Sequence, residues 1–316
     1  MSVTRLIRTP ALLTIGLALV ACGSPSQAQP AGPDTITVTS NLGEVTVPVL
    51  PKRIVALDNT SFETLRAWGI TPVAVPKELL PASLSEWADD PEIIDVGTHR
   101  EPRLEEINAS QADLIIGGKR FAEYTDTLAG IAPVLDLAPN VEQADYLQAL
   151  KEQTSTLGEV FGRTAEADAM NAELDAAVTA ASAFATGQTV FLANHNGGKI
   201  DNGAGRLAPL IEPLNLTDVF ASTRGGSESV HNDSGLAPET LAQANPDWLF
   251  VMDRDAAVNG GAPARATIAA QELWRTTTFA STNQVLYLDA DFYYTEGITA
   301  YTAFYRQLAE VMAEAA

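Results

Sequence analysis

The chain predicts an α/β protein of two Rossmann-like lobes with parallel sheets, joined by a long helix. Three observations carry that expectation. Short apolar runs alternate with helical patterns in two separate series, as parallel sheets require, because each crossover has to cover a sheet face. Between the series lies a stretch with sustained 3.6-residue periodicity. One helix–strand–arginine unit also occurs twice, as EEINASQADLIIGGKR over 105–120 and ETLAQANPDWLFVMDR over 239–254. Each copy opens on Glu, carries Asp eight residues later and ends on Arg after fifteen. A weaker echo pairs LRAWGITPVAV (65–75) with LIEPLNLTDVF (210–220).

In chain order, residues 1–21 read as a secretory leader. Arg5 and Arg8 make a basic start, and 11–20 is a ten-residue apolar run, too short for an ordinary membrane span. Leu19-Val20-Ala21-Cys22 resembles the lipobox of bacterial lipoproteins, which implies cleavage before Cys22 and attachment of a diacylated lipid to its thiol. Several acyl chains on one residue hold a protein stably at a membrane. Residues 22–34, rich in Pro, Ser and Gln, form a flexible tether. The first lobe is expected over 35–140, with strands at 53–57, 72–75, 93–96, 113–116 and 134–137. A helical segment follows over 141–186. Tyr146, Leu147, Leu150, Leu157, Val160 and Phe161 share one face there, Met170, Leu174, Ala177, Val178 and Ala181 continue the period, and Gly162 divides it. The second lobe is expected over 187–316, with strands at 189–193, 247–252 and 284–288.

Composition narrows the function. Of 316 residues, 46% are apolar and 19% charged, which is globular rather than disordered. Against 40 Asp and Glu stand only 19 Lys and Arg, a formal charge of −21. Loss of the leader makes the chain more acidic still. Such a surface repels phosphate backbones, so nucleic acid is not the partner. Cys22 is the sole cysteine, which excludes an intrachain disulfide and a cysteine metal cluster. No phosphate loop, dinucleotide turn, nucleophile elbow or HExxH motif occurs, so the chain is expected not to be an enzyme.

The chemistry-bearing residues gather near strand ends. Ligands of open parallel sheets bind beyond the carboxyl ends of the strands. Arg120 and Arg254 lie just past two such ends, so lobes that face each other would bring two guanidiniums to the cleft. The three histidines, His99, His195 and His231, could supply a zinc site. His99 lies in a polar loop and reads as solvated, while His195 follows a strand in the Gly-rich turn NHNGGK. The segment DADFYYTEG (289–297) reads as a loop presenting Tyr293 and Tyr294. Phenolate is a hard donor suited to ferric iron.

The run of motifs PKRIVALD, VGTHREPRLEEI, ADLIIGGKR, GAGRLAPLI, HNDSGLAPETLAQANPDWLFVMDR and VLYLDADFYYTEG resembles the binding proteins of iron–siderophore ABC importers, in particular the catecholate-binding branch. That resemblance covers nearly the whole chain after the leader. It implies the helical-backbone periplasmic binding protein fold. It implies capture of ferric siderophore in the inter-lobe cleft and delivery to a membrane permease, by a monomer with no permanently bound cofactor. By motif it implies Arg120, Arg206 and Arg254 as the arginines around the anionic iron–catecholate. His231 and Tyr294 would be direct Fe(III) ligands when the siderophore offers four donors, with Tyr293 as a stacking residue or an alternative to Tyr294. Glu105 and Glu239 would dock the permease. The resemblance places the protein outside the cytoplasm on a lipid anchor at Cys22. The alternatives are a zinc or manganese carrier, a haem or corrinoid carrier of the same fold, and an extracytoplasmic hydrolase using His231, Asp233 and Ser234.

Overall fold

Runs such as IVA, LIIG and VLD are buried along their whole length, because a parallel sheet sandwiched between helices has no solvent face. The computed structural model describes residues 34–141, 145–221, 236–259, 261 and 263–315. The chain opens on an antiparallel hairpin, β1 (Thr35–Ser40) and β2 (Gly43–Pro48), whose Val38 and Val47 face the core. The first parallel sheet follows: β3 (Ile54–Ala56), β4 (Ala74–Val75), β5 (Ile94–Asp95), β6 (Leu114–Gly117) and β7 (Val134–Asp136), in the order β5-β4-β3-β6-β7.

The second sheet holds β8 (Thr186–Asn196), β9 (Lys199–Asn202), β10 (Asn215–Asp218), β11 (Trp248–Asp253) and β12 (Val285–Tyr287). Its order is β10-β8-β11-β12, all parallel, while β9 folds back antiparallel on β8 through a two-glycine turn. In both sheets strand order reverses beside the first strand, between β3 and β6 and between β8 and β11. Each reversal opens a crevice at the carboxyl ends.

The internal similarity has a structural meaning. Helix Leu104–Ala109 leads into β6, and helix Pro238–Ala244 leads into β11, so the two copies occupy equivalent places beside the first strand of each sheet. The shared aspartate does the same work twice. Asp113 accepts hydrogen bonds from the backbone amides of Lys52 (2.7 Å) and Arg53 (2.9 Å), and Asp247 from that of Thr189 (2.7 Å). Each carboxylate thus pins the neighbouring first strand beside the point where the two strands begin to pair, at Ile54 in β3 and Val190 in β8. The weaker echo leads into β4 and β10, which flank the other side of that strand.

Two helices connect the sheets, Tyr146–Phe161 and Thr164–Ser182. The Asp145 side chain caps the first by accepting from the Gln148 amide (2.9 Å), and Gly162 ends it at φ 62°. That is a left-handed stop glycine adopts at little cost. Both helices serve both sheets. Tyr146, Leu150, Leu174, Ala177 and Ala181 pack in the core of the second sheet; Leu157, Val160, Phe161 and Ala167 pack in that of the first. Helix Ile298–Ala315 lies against the second-sheet core through Tyr301, Phe304, Tyr305, Leu308 and Met312. Residues Asp34–Ala316 form one compact unit. Among the described residues no helix is long and apolar enough to cross a membrane.

Candidate functional site

The carboxyl ends of both sheets line a single cavity of about 570 Å³. From the first sheet come Asp58, Asn59 and Thr60 after β3, Thr98, His99 and Arg100 after β5, and Lys119 and Arg120 after β6. From the second come Arg206 of helix Ala204–Ile211, Arg254 after β11, and Tyr293, Tyr294 and Glu296 after β12. Tyr293 and Tyr294 lie in a short helix, Phe292–Thr295, where the sequence read as a loop; four residues are too few to show a helical period.

Tyr293 is the centre of the second-sheet wall. The guanidinium of Arg206 stands 4.5 Å from the centroid of its ring and that of Arg254 stands 5.6 Å away. Arg254 Nε donates to the Tyr293 hydroxyl (3.2 Å), and its Nη1 donates to Asn196 Oδ1 (2.6 Å). Arg206 is held by Glu296 through both arms, at 2.8 and 2.6 Å, and donates to the Tyr293 carbonyl oxygen (3.0 Å). Burial opposes the Arg206 charge, but the Glu296 carboxylate outweighs it and raises the guanidinium above its usual value.

Arg120 is different. Among the described residues its side chain makes no hydrogen bond or ion pair, and burial, with Arg206 nearby, lowers it from the usual value while Glu296 opposes. Its charge is therefore open to a ligand. Tyr294 is half-buried, and its hydroxyl makes no hydrogen bond among the described residues. Burial raises it above the usual phenol value, while Arg120 and Arg254 act against that rise.

The segment Asp291–Gly297 is a strap, bonded to the first half of the chain, that fixes the tyrosines. Asn59 Nδ2 donates to the carbonyl oxygens of Tyr294 (2.7 Å) and Thr295 (3.3 Å), and the Tyr146 hydroxyl donates to that of Glu296 (3.1 Å). The Asp291 carboxylate accepts from the amides of Ala82 (3.1 Å) and Ser83 (2.8 Å). Gly297 lies so close to Thr60 that a Cβ would collide with the Thr60 carbonyl. Asp58, beside Asn59, is 1% exposed, and burial pushes its carboxyl up to about 7 against hydrogen bonds from Thr60 and Gln153.

The structure thus brings together five of the site residues expected from the sequence: Arg120, Arg206, Arg254, Tyr293 and Tyr294. Glu105 and Glu239 stand apart, both exposed at the second position of their helices. His231 and Cys22 lie outside the described residues. His99 lines the cavity rather than standing free in solvent, with Nδ1 buried and unpartnered. His195 is fully buried, with Nδ1 2.8 Å from Asp253 and Nε2 3.0 Å from the Thr267 hydroxyl, so its ring nitrogens are engaged within the fold. Among the described residues no group of three or more His, Cys, Asp or Glu is placed to hold a metal ion. Sequence reasoning assigned no role to Glu296, Asn196, Asp58, Arg100 or Lys119. Glu296 was legible only as an acid inside YYTEG, since its partner lies ninety positions away.

The profile of a family described as periplasmic binding protein matches residues 54–292. The petrobactin-binding protein YclQ of Bacillus subtilis is 28% identical over 299 residues, 90% of this chain and 91% of that one. The ferric-anguibactin-binding protein FatB of Vibrio anguillarum is 26% identical over 269 residues, 82% of this chain and 81% of its own. The solved structure of the periplasmic catecholate-siderophore binding protein VctP of Vibrio cholerae superposes with a TM-score of 0.74 at 25% identity, covering 89% of this chain and all of that one.

Proposed function

The chain belongs to the periplasmic binding protein family, and from that premise we propose that it captures a ferric siderophore of catecholate type in the cavity between its two sheets. It then delivers the complex to an ABC permease. The protein is a binding component and not an enzyme, in keeping with its relatives.

The observation that carries this reading is the wall built on Tyr293, an aromatic ring flanked by two guanidiniums, with Arg120, which has no partner among the described residues, also lining the cavity. A ferric catecholate is an anion made of flat, electron-rich rings. Guanidinium groups donate to its oxygens and stack on its faces, and they stay charged while doing so. Cations are costly to keep part-buried unless an anion meets them, and burial lowers Arg120 from its usual value.

In the same proposal Tyr294 and His231 complete the coordination of iron held by a four-donor siderophore. Tyr293, whose hydroxyl is engaged by Arg254, serves as the stacking surface. Glu105 and Glu239 dock the permease, one from each repeat, and Cys22 carries the lipid that keeps the protein extracytoplasmic. The lobes are residues 35–140 and 187–316, with 141–186 between them. Fluorescence titration of the purified protein tests the central claim. Saturable quenching by ferric catecholate, with no response to zinc, is expected; absence of binding to ferric catecholates, hydroxamates and citrate overturns it.

A further inference from the structure

Among the described residues two acids line the cavity, Asp58 and Glu296. An acid in a cavity that takes an anion opposes its cargo, so each calls for a physical account. Asp58 is 1% exposed, and burial works to discharge it by pushing its carboxyl up to about 7. Glu296 is instead held in an ion pair. Its two oxygens accept from Arg206 at 2.8 and 2.6 Å, and both side chains are largely buried. Arg254 has only neutral partners, the Asn196 side chain and the Tyr293 hydroxyl. One arginine of the second-sheet wall therefore keeps its charge while the other has it cancelled.

The place of Glu296 is built into the backbone. Its φ is 47°, a left-handed conformation uncommon outside glycine. The Tyr146 hydroxyl donates to its carbonyl oxygen (3.1 Å), and the next residue, Gly297, is pressed against Thr60. Arg206 has holds besides this carboxylate. Its Nη2 donates to the Tyr293 carbonyl oxygen (3.0 Å), and the Tyr293 ring centroid lies 4.5 Å from its guanidinium. What Glu296 adds to those holds is charge. Arg206 Nη1 has no partner among the described residues, so the pair still offers the cavity a donor, but one without net charge. The Glu296 carboxylate also acts on Arg120, across the cavity, where it opposes the lowering by burial.

We propose that Glu296 is a specificity-determining residue that sets the charge of the chelate the cavity accepts: by cancelling Arg206 it weakens the positive field on the ligand and disfavours the more highly charged of two anions equal in shape. Specificity is a difference of affinities, and a fixed repulsive group shapes it as much as an attractive one. In a part-buried site one unit of charge is felt strongly, because little water screens it. This role rests on the reading that the cavity binds a ferric chelate.

The test uses one synthetic six-donor tris-catecholamide loaded with Fe(III) or with Ti(IV). The two chelates share a shape, but three catecholate dianions make the first a trianion and the second a dianion. Six donors saturate the metal, so Tyr294 and His231 are not drawn in as ligands. Quenching titrations give the ratio of ferric to titanium affinity for each protein, with thermal melts to confirm folding. Glu296→Gln keeps an acceptor for Arg206 and loses the charge; its ratio is expected to rise about tenfold over the wild type. Glu296→Asp keeps the charge, and its ratio stays within about twofold. The double variant R206Q/E296Q leaves no unpaired ion behind, so it serves even where Glu296→Gln melts early. It is expected to bind both chelates less tightly, at about the wild-type ratio. A ratio unmoved in Glu296→Gln, or moved as far in Glu296→Asp or in the double variant, overturns the role of Glu296 and leaves the proposed function standing. If neither chelate quenches the wild type, it is the proposed function that fails.

Discussion

Arg206 and Glu296 meet through two hydrogen bonds of 2.8 and 2.6 Å beside the ring of Tyr293. Their side chains are only 13% and 15% exposed, and ninety positions separate them in the chain. One of the three arginines expected at the site therefore carries its own counter-ion, and the arginines are not equivalent.

Replacing Arg206 with Ala leaves a largely buried carboxylate uncompensated, a loss of about 3 kcal/mol in stability. Arg120→Ala removes a side chain with no protein partner among the described residues, so stability stays within about 0.5 kcal/mol. Ligand binding nonetheless weakens by roughly 1.5–3 kcal/mol through the lost charge-assisted bonds. Urea melts and ligand titrations on both variants check the contrast. An Arg120→Ala protein that melts early but binds normally would reverse the assignment.

The two tyrosines separate by spectroscopy. Tyr294→Phe is expected to abolish the phenolate-to-iron charge-transfer band formed with a four-donor ferric siderophore. Tyr293→Phe keeps the band and weakens binding, because Arg254 loses its hydroxyl partner. A band that persists in Tyr294→Phe and vanishes in Tyr293→Phe would exchange their roles.

Glu63 supplies a pH signature. Burial first, then Asp291 and Asp289, push its carboxyl up to about 7, against Arg66 and Thr295. The folded value thus exceeds the unfolded one, near 4.5. The contribution of this group is complete below about pH 4.5 and is lost as pH rises through about 7, at most about 3 kcal/mol. Glu63→Gln should be more stable than wild type at pH 8 and lose that advantage toward pH 4.5. Denaturation curves at the two pH values decide it, and parallel curves would refute the shift.

Charge reversal at Glu105 and Glu239 touches neither the cavity nor the core, since both side chains are exposed. Ligand affinity is expected to stay within about twofold and uptake by cells to fall sharply. Uptake at the wild-type rate would remove both residues from the docking surface.

Much of this was legible in the sequence because it is periodic or repeated. The first-sheet strands declare themselves as apolar runs, and the duplicated unit locates Arg120 and Arg254 before any contact is known. Residues 35–48 were not read as a hairpin, since alternating Thr and Val over so short a span is a weak signal. Short β9 and β10 were missed for the same reason. Glu296 and the inward place of His99 depend on contacts distant in sequence, which no local pattern encodes. Arg206 came from the GAGRL motif alone.

The strap Asp291–Gly297 belongs to the second half of the chain but is bonded to the first, through Asn59, Ala82 and Ser83. The backbone that bears the two tyrosines is therefore also a tie between the halves. Any tilt between the sheets loads the Asn59–Tyr294 bond, 2.7 Å long. A force that prises the halves apart thus acts on the backbone that holds the Tyr293 ring beside its two guanidiniums.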